Sequence, residues 1–128
     1  MNVAITEGVE IRVNVIFRPD LSQVENDSFF FNYEVFMENH NSFPVQLLHR
    51  NWYIFDSMSD ASVVSGEGVV GEQPTLKSQD TYTYMSGCEL YSEIGYMKGF
   101  YTFKNLLTGE NFQVVIPKFD LFFPPRLN

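Results

Sequence analysis

Six residues, Gly66-Glu67-Gly68-Val69-Val70-Gly71, carry the first pattern in this chain that could do chemistry. The spacing G-x-G-x-x-G belongs to loops whose backbone amides approach a pyrophosphate at a helix N-terminus. The neighbouring residues argue against that context. Val69 and Val70 favour strand, Pro74 falls where the helix should be running, and Glu67 and Glu72 would repel phosphate. The glycines therefore predict a bulge, a tight turn or a close strand crossing. The rival reading is a binding protein or enzyme for a small anion or phosphometabolite, such as a nucleotide or polyphosphate, held by the Gly66–Gly71 loop amides with divalent cations drawn in alongside.

The metal-ligating and nucleophilic types are sparse. His40, His49 and Cys88 show no H-x-H, H-x₃-H or C-x-x-C spacing, so no tight transition-metal site is expected. The two histidines are placed at opposite ends of neighbouring strands. Glu67, Glu72, Glu89 and Glu93 offer the oxygens that Mg²⁺ or Co²⁺ would need, but read first as solvated surface acids. Cys88 has no histidine near it in sequence and reads as a small buried hydrophobe rather than a nucleophile. No catalytic residue and no cofactor is assigned.

Arg50 and Trp52 share a strand face with Leu48 and Ile54. If that face is the core, Arg50 must pair with Asp56 or Glu34, or stack on Trp52. If it is open, the two are the type of anchor pair enriched at binding hot spots. The candidate binding set is therefore Arg50, Trp52, Gly66, Gly68 and Gly71.

The elements that must position these residues are strands. There are 13 Phe and 7 Tyr but only two alanines, Ala4 and Ala61, which disfavours helix. Val9, Ile11, Val13, Val15 and Phe17 alternate with a largely polar set, then Pro19 and Asp20 stop the strand. Residues 20–27 read as a polar connection. From Ser28 to Glu38, Phe29, Phe31, Tyr33, Val35 and Met37 form one face, with Phe30 and Phe36 on the other. Val45 to Asp56 is mixed on both faces, as in a covered central strand, although periodicity leaves a short helix open. Downstream, 81–86, 99–105 and 112–116 read as shorter strands. Ser86-Gly87-Cys88 and Ile94-Gly95-Tyr96 read as irregular connection, and Gly109 suits a positive-φ hairpin position. Some seven antiparallel strands predict an all-β, immunoglobulin-like sandwich, with residues 1–128 as one domain.

Charge excludes further classes. Sixteen acids against eight basic residues give a net charge of −8, and the scattered basic residues form no basic stripe, so no nucleic acid partner is expected. No secretory signal, no membrane-spanning run and a single cysteine suggest a cytoplasmic protein without a membrane partner.

The run Gly66 to Pro74, followed by Tyr84-Met85-Ser86-Gly87, resembles the ApaG domain family. So do Val45-Gln46-Leu47-Leu48 with Arg50 and Trp52, the segment from Gly95 to Tyr101, and Val115-Ile116-Pro117-Lys118-Phe119. The likeness extends over about residues 9–125. It implies a fibronectin type III-like sandwich. It also implies an association with cobalt and magnesium tolerance and with genes handling dinucleoside polyphosphates; relatives occur as modules in F-box and polymerase-interacting proteins. No catalytic residues carry over. Excess aromatics at Phe30, Phe36 and Phe122-Phe123, beside Pro124-Pro125, point to a covered surface. The expectation is a non-catalytic, non-enzymatic binding module for a protein partner or a second copy, as in a homo-oligomer.

Overall fold

A computed structural model describes residues 2–124. Alternating apolar residues build nine strands among them: β1 (Asn2–Thr6), β2 (Val9–Phe17), β3 (Phe29–Asn39), β4 (Val45–Asp56), β5 (Ser62–Glu67), β6 (Thr75–Leu76), β7 (Thr81–Leu90), β8 (Ile94–Asn105) and β9 (Asn111–Phe122). The polar connection before β3 folds into two single 3₁₀ turns, Pro19–Leu21 and Val24–Asn26. One sheet has the order β1-β2-β3-β7. The other has β5-β4-β8-β9, with β6 also pairing to β4, and every pairing is antiparallel. The chain crosses to the second sheet between β3 and β4, returns at β7 and crosses again to β8. This is an immunoglobulin-like β-sandwich.

The inner faces meet as the alternation requires. Val9, Ile11 and Val13 of β2 and Phe31, Val35 and Met37 of β3 are buried against the second sheet's Trp52, Tyr101, Phe103 and Phe119. Trp52 is ringed by Tyr33, Tyr101 and Phe119, with centroids 5.4, 6.2 and 5.8 Å away. The Tyr84 and Tyr101 hydroxyls hydrogen-bond each other in the core, tying β7 of one sheet to β8 of the other. Each satisfies a polar group that burial would otherwise penalise.

Several sequence expectations need correction. The sequence pattern predicts no strand before Val9, yet β1 forms a hairpin with β2 through Glu7-Gly8, both at positive φ. Residues 86–88 and 94–96 lie inside β7 and β8 rather than in connections. β9 continues past Ile116 because Pro117 and Lys118 occupy a bulge, a position where proline's missing N–H costs no ladder bond. The mixed faces of β4 have the same cause. Its register shifts between Leu47 and His49, so Val45 and Leu47 point inward on one side of the bulge and Trp52 and Asp56 on the other.

Candidate functional site

The residues singled out from the sequence come together, but chiefly to build a turn. Gly66 lies opposite Arg50 in the β4–β5 ladder, and a Cβ on it would stand 3.0 Å from the guanidinium. The space lets Arg50 Nη1 donate to the carbonyls of Glu67 and Gly68, each at 2.9 Å. Neither Asp56, Glu34 nor the Trp52 face supplies the partner expected for Arg50. Gly68, at φ +62°, has no room for a side chain: a Cβ would lie 2.1 Å from the Glu72 carbonyl oxygen. Val69 and Glu72 exchange backbone hydrogen bonds of 2.8 and 2.9 Å around Val70 (φ +42°) and Gly71 (φ +81°). Two consecutive positive-φ residues define a type I′ turn. The amides of Gly68, Val69 and Glu72 are thus bonded to carbonyls, and two loop carbonyls face a cation. Trp52 is 3% exposed, so its ring is enclosed in the core.

A more open surface lies on the outer face of the second sheet. Cross-strand register aligns Val63 of β5 with Tyr53 of β4, Tyr53 with Lys98 of β8, and Phe100 of β8 with Val115 of β9. They border a groove of about 480 Å³ that reaches Lys118. Val63 is 73% and Val115 50% exposed. Phe55 stacks on Tyr96 at 5.0 Å, and Tyr53 lies 6.1 Å from the same ring. The Lys98 ammonium sits 5.3 Å above Tyr53 and the Lys118 ammonium 4.4 Å above Tyr96, placing cations over the negative ring faces. Antiparallel pairing of β8 with β9 therefore gathers cations that looked scattered along the chain. Aromatic excess pointed to such a surface, but on other residues. Phe36 is covered by the Arg12 guanidinium at 4.2 Å, and Phe123 packs edge-on against Phe17 and Phe29, both at 5.2 Å. Pro125 lies outside the described residues.

The first sheet's outer face differs. Glu10 and Glu38 are directly opposed across β2 and β3. Arg12 and His40 bridge them: Arg12 ion-pairs with Glu10 and approaches Glu38 at 3.7 Å, while His40 Nε2 is 2.9 Å from Glu10. The His40 hydrogen bond, with Arg12 adding to it, holds the Glu10 carboxyl below its ordinary range. Glu10, Glu38 and His40 could together face a cation. Sequence spacing gave no sign of this group, because two strands and a turn assemble it. His49 sits on the other sheet, not on a strand neighbouring that of His40. Among the described residues, Glu67, Glu72, Glu89 and Glu93 form no convergent group.

Cys88 is buried on the inner side of β7, and burial pushes its thiol up to about 11. Such a thiol is protonated and unreactive near neutrality. A second pocket of about 310 Å³ with a mixed lining involves Asp27, Phe29, Ser57, Met58 and Tyr91. Buried Asp56 holds the adjoining loops by accepting from the Met58 and Tyr91 amides and the Ser92 hydroxyl.

Comparison with known proteins places this arrangement among relatives. The family model for the ApaG domain matches residues 19–105. Protein ApaG of Mesorhizobium japonicum is 38% identical over 121 residues, covering 94% of this chain and 92% of that protein. Protein ApaG of Anaeromyxobacter dehalogenans strain 2CP-1 is 38% identical over the full length of both. A crystal structure described as an ApaA protein from Bordetella pertussis superposes with a TM-score of 0.87 at 35% identity, covering 91% of this chain and 94% of that one.

Proposed function

The chain belongs to the ApaG domain family, and from that premise we propose that it is a non-catalytic module that docks a protein partner on the outer face of its second sheet. The observation that carries this reading is the groove between Val63 and Lys118, where two exposed valines flank half-buried aromatic rings. Apolar patches of this kind, rimmed by polar groups, mark interaction surfaces. A different protein suits it better than a second copy using the same face. An isologous dimer would bring Lys98 and Lys118 of both copies into one interface, and such like charges oppose association. The Gly66–Gly71 loop favours this reading over the anion-binding alternative, because its engaged amides leave little with which to cradle phosphate. On this reading, any tie to cobalt or magnesium tolerance runs through the partner.

The test is photocrosslinking from the two ends of the groove. A benzophenone amino acid at Val63 or Val115 should give the same discrete protein adduct in cells, while one at Thr83 on the opposite face should not. Identical labelling from both faces, or none from the groove, would overturn the proposal. So would saturable thermal stabilisation by ATP or a dinucleoside polyphosphate that competes with the adduct.

A further inference from the structure

The chemistry of the groove specifies its occupant more closely. Resting on the docking reading above, we infer that the groove takes an extended, acidic peptide segment carrying an aromatic or aliphatic anchor, with the anchor over Tyr53 and Phe100 and its carboxylates on Lys98 and Lys118.

Charge is the first argument. The chain carries a net charge of −8, yet neither the Lys98 nor the Lys118 ammonium has a carboxylate within 4 Å among the described residues. Among the described residues the arginines are already engaged, Arg12 with Glu10 and Glu38, Arg18 with Asp20, and Arg50 with loop carbonyls. The described lysines are not ion-paired, and of these only Lys98 and Lys118 border the groove. Both lysines hold their ammonium groups over aromatic ring faces beside the groove. A carboxylate arriving there gains a partner with little loss of side-chain freedom. Screening over about 8 Å at physiological ionic strength lets these local charges outweigh acids elsewhere on the molecule.

Dimensions are the second argument. The groove crosses the sheet from β5 to β9 rather than following a strand. Three inter-strand spacings make about 14 Å, which about four or five extended residues would span. Val63 and Tyr53 define the apolar end, and Lys98 and Lys118 lie one and two strands beyond Tyr53. The expected segment therefore has an apolar anchor with Asp or Glu following within about two to four positions. A single-stranded nucleic acid would also bring anions and stacking groups. It fits less well, because its continuous phosphate charge would extend past two lysines onto a strongly acidic molecule.

The test uses the full chain and a display library of random peptides. Recovered peptides should pair Asp or Glu with Phe, Trp or Leu. Their affinity, read by fluorescence anisotropy, should fall about tenfold or more on Lys98→Glu or Lys118→Glu, as for the loss of a charged contact. Arg12→Glu, on the opposite face, should leave it unchanged. Peptides without acidic enrichment that are nonetheless lost on Val115→Arg would overturn the acidic occupant while sparing the docking reading. Peptides indifferent to Val115→Arg and to both lysine changes, or no recovered peptides at all, would overturn both. Displacement of the peptide by a single-stranded oligonucleotide would overturn the peptide occupant in favour of nucleic acid.

Discussion

At the scale of single residues, the motif most suggestive of chemistry proves to be turn chemistry held by an arginine. The valine spacing and acidic flanks made that legible: a glycine-rich segment without a following helix is a turn. The partner of Arg50 was not legible, because its acceptors are main-chain carbonyls 17 and 18 residues away and any sequence would supply carbonyls. One position works against the fold. Val70 is β-branched, yet holds φ +42° at a site 57% exposed, where it gains little from packing. Left-handed geometry costs an L-residue roughly 1–2 kcal/mol, and asparagine tolerates it better. Val70→Asn should therefore raise stability by about 1 kcal/mol, seen as a higher thermal midpoint, and an unchanged midpoint would refute the strain. Gly68→Ala should act oppositely, losing about 2 kcal/mol or more, since its Cβ must displace the Glu72 carbonyl. Arg50→Met should cost about 1–2 kcal/mol by leaving two carbonyls without their donor, measurable by urea denaturation.

At the scale of elements, alternation carried the reading wherever it was unbroken. β2 and β3 follow a period of two throughout, and their inward and outward faces were legible residue by residue. Where bulges interrupt the period, local pattern and true orientation separate. β4 changes phase at Leu48, so its apolar residues appear on both faces although each half has one inner face. β9 changes phase at Pro117-Lys118, and that same bulge turns Lys118 toward the groove. Gly87 looked like a break, but its bare Cα accommodates the Phe30 ring inside a continuous ladder. The β4 bulge also anchors the glycine-rich turn, since the Leu48 carbonyl accepts from the Gly68 amide at 2.8 Å and the Gln73 side chain at 2.9 Å. Deleting Leu48 removes the extra residue and lets Leu47 and His49 pair with the consecutive Phe103 and Thr102, so Trp52 keeps its inward side and the loss is the carbonyl that anchors the glycine-rich turn. The expected result is a folded, cooperatively melting variant, destabilised by about 1–3 kcal/mol, with Trp52 still protected from quenchers. Loss of the near-ultraviolet circular dichroism signal, or a deletion variant as stable as the parent, would disprove this role of the bulge.

At the scale of the whole molecule, two differently charged outer faces enclose a core that contains ionisable groups. Glu10, Glu34 and Glu38 lie on the outer face of the first sheet, while Lys98, Lys104 and Lys118 lie on that of the second. That segregation was hidden in the sequence because pairing partners, not neighbours in the chain, decide which charges share a face. Inside, burial pushes the Tyr84 and Tyr101 phenols well above their ordinary value of 10.0, and the Cys88 thiol from 9.0 to about 11. All three are held in their neutral forms by the fold, so their contribution is complete below the unfolded-chain values and is lost as pH rises. Once pH passes about 9 for the thiol and about 10 for the phenols, the unfolded chain sheds protons that the native chain retains. Each group then lowers stability by about 1.4 kcal/mol per pH unit, so the three together give about 4 kcal/mol per unit between about pH 10 and 11, above which the native thiol ionises too and the phenols alone continue. Alkaline unfolding should be steep, with Trp52 fluorescence changing together with phenolate absorbance from the buried tyrosines. Replacing both tyrosines, Tyr84→Phe with Tyr101→Phe, removes two titrating groups and their mutual hydrogen bond at once. The double variant should unfold over a broader alkaline range, its stability falling less steeply per pH unit because only the thiol and the less strongly shifted Tyr33 and Tyr82 still contribute. Phenolate absorbance from all the tyrosines appearing while Trp52 remains buried would contradict this account, because it would mean that the junction between the sheets admits charge without opening.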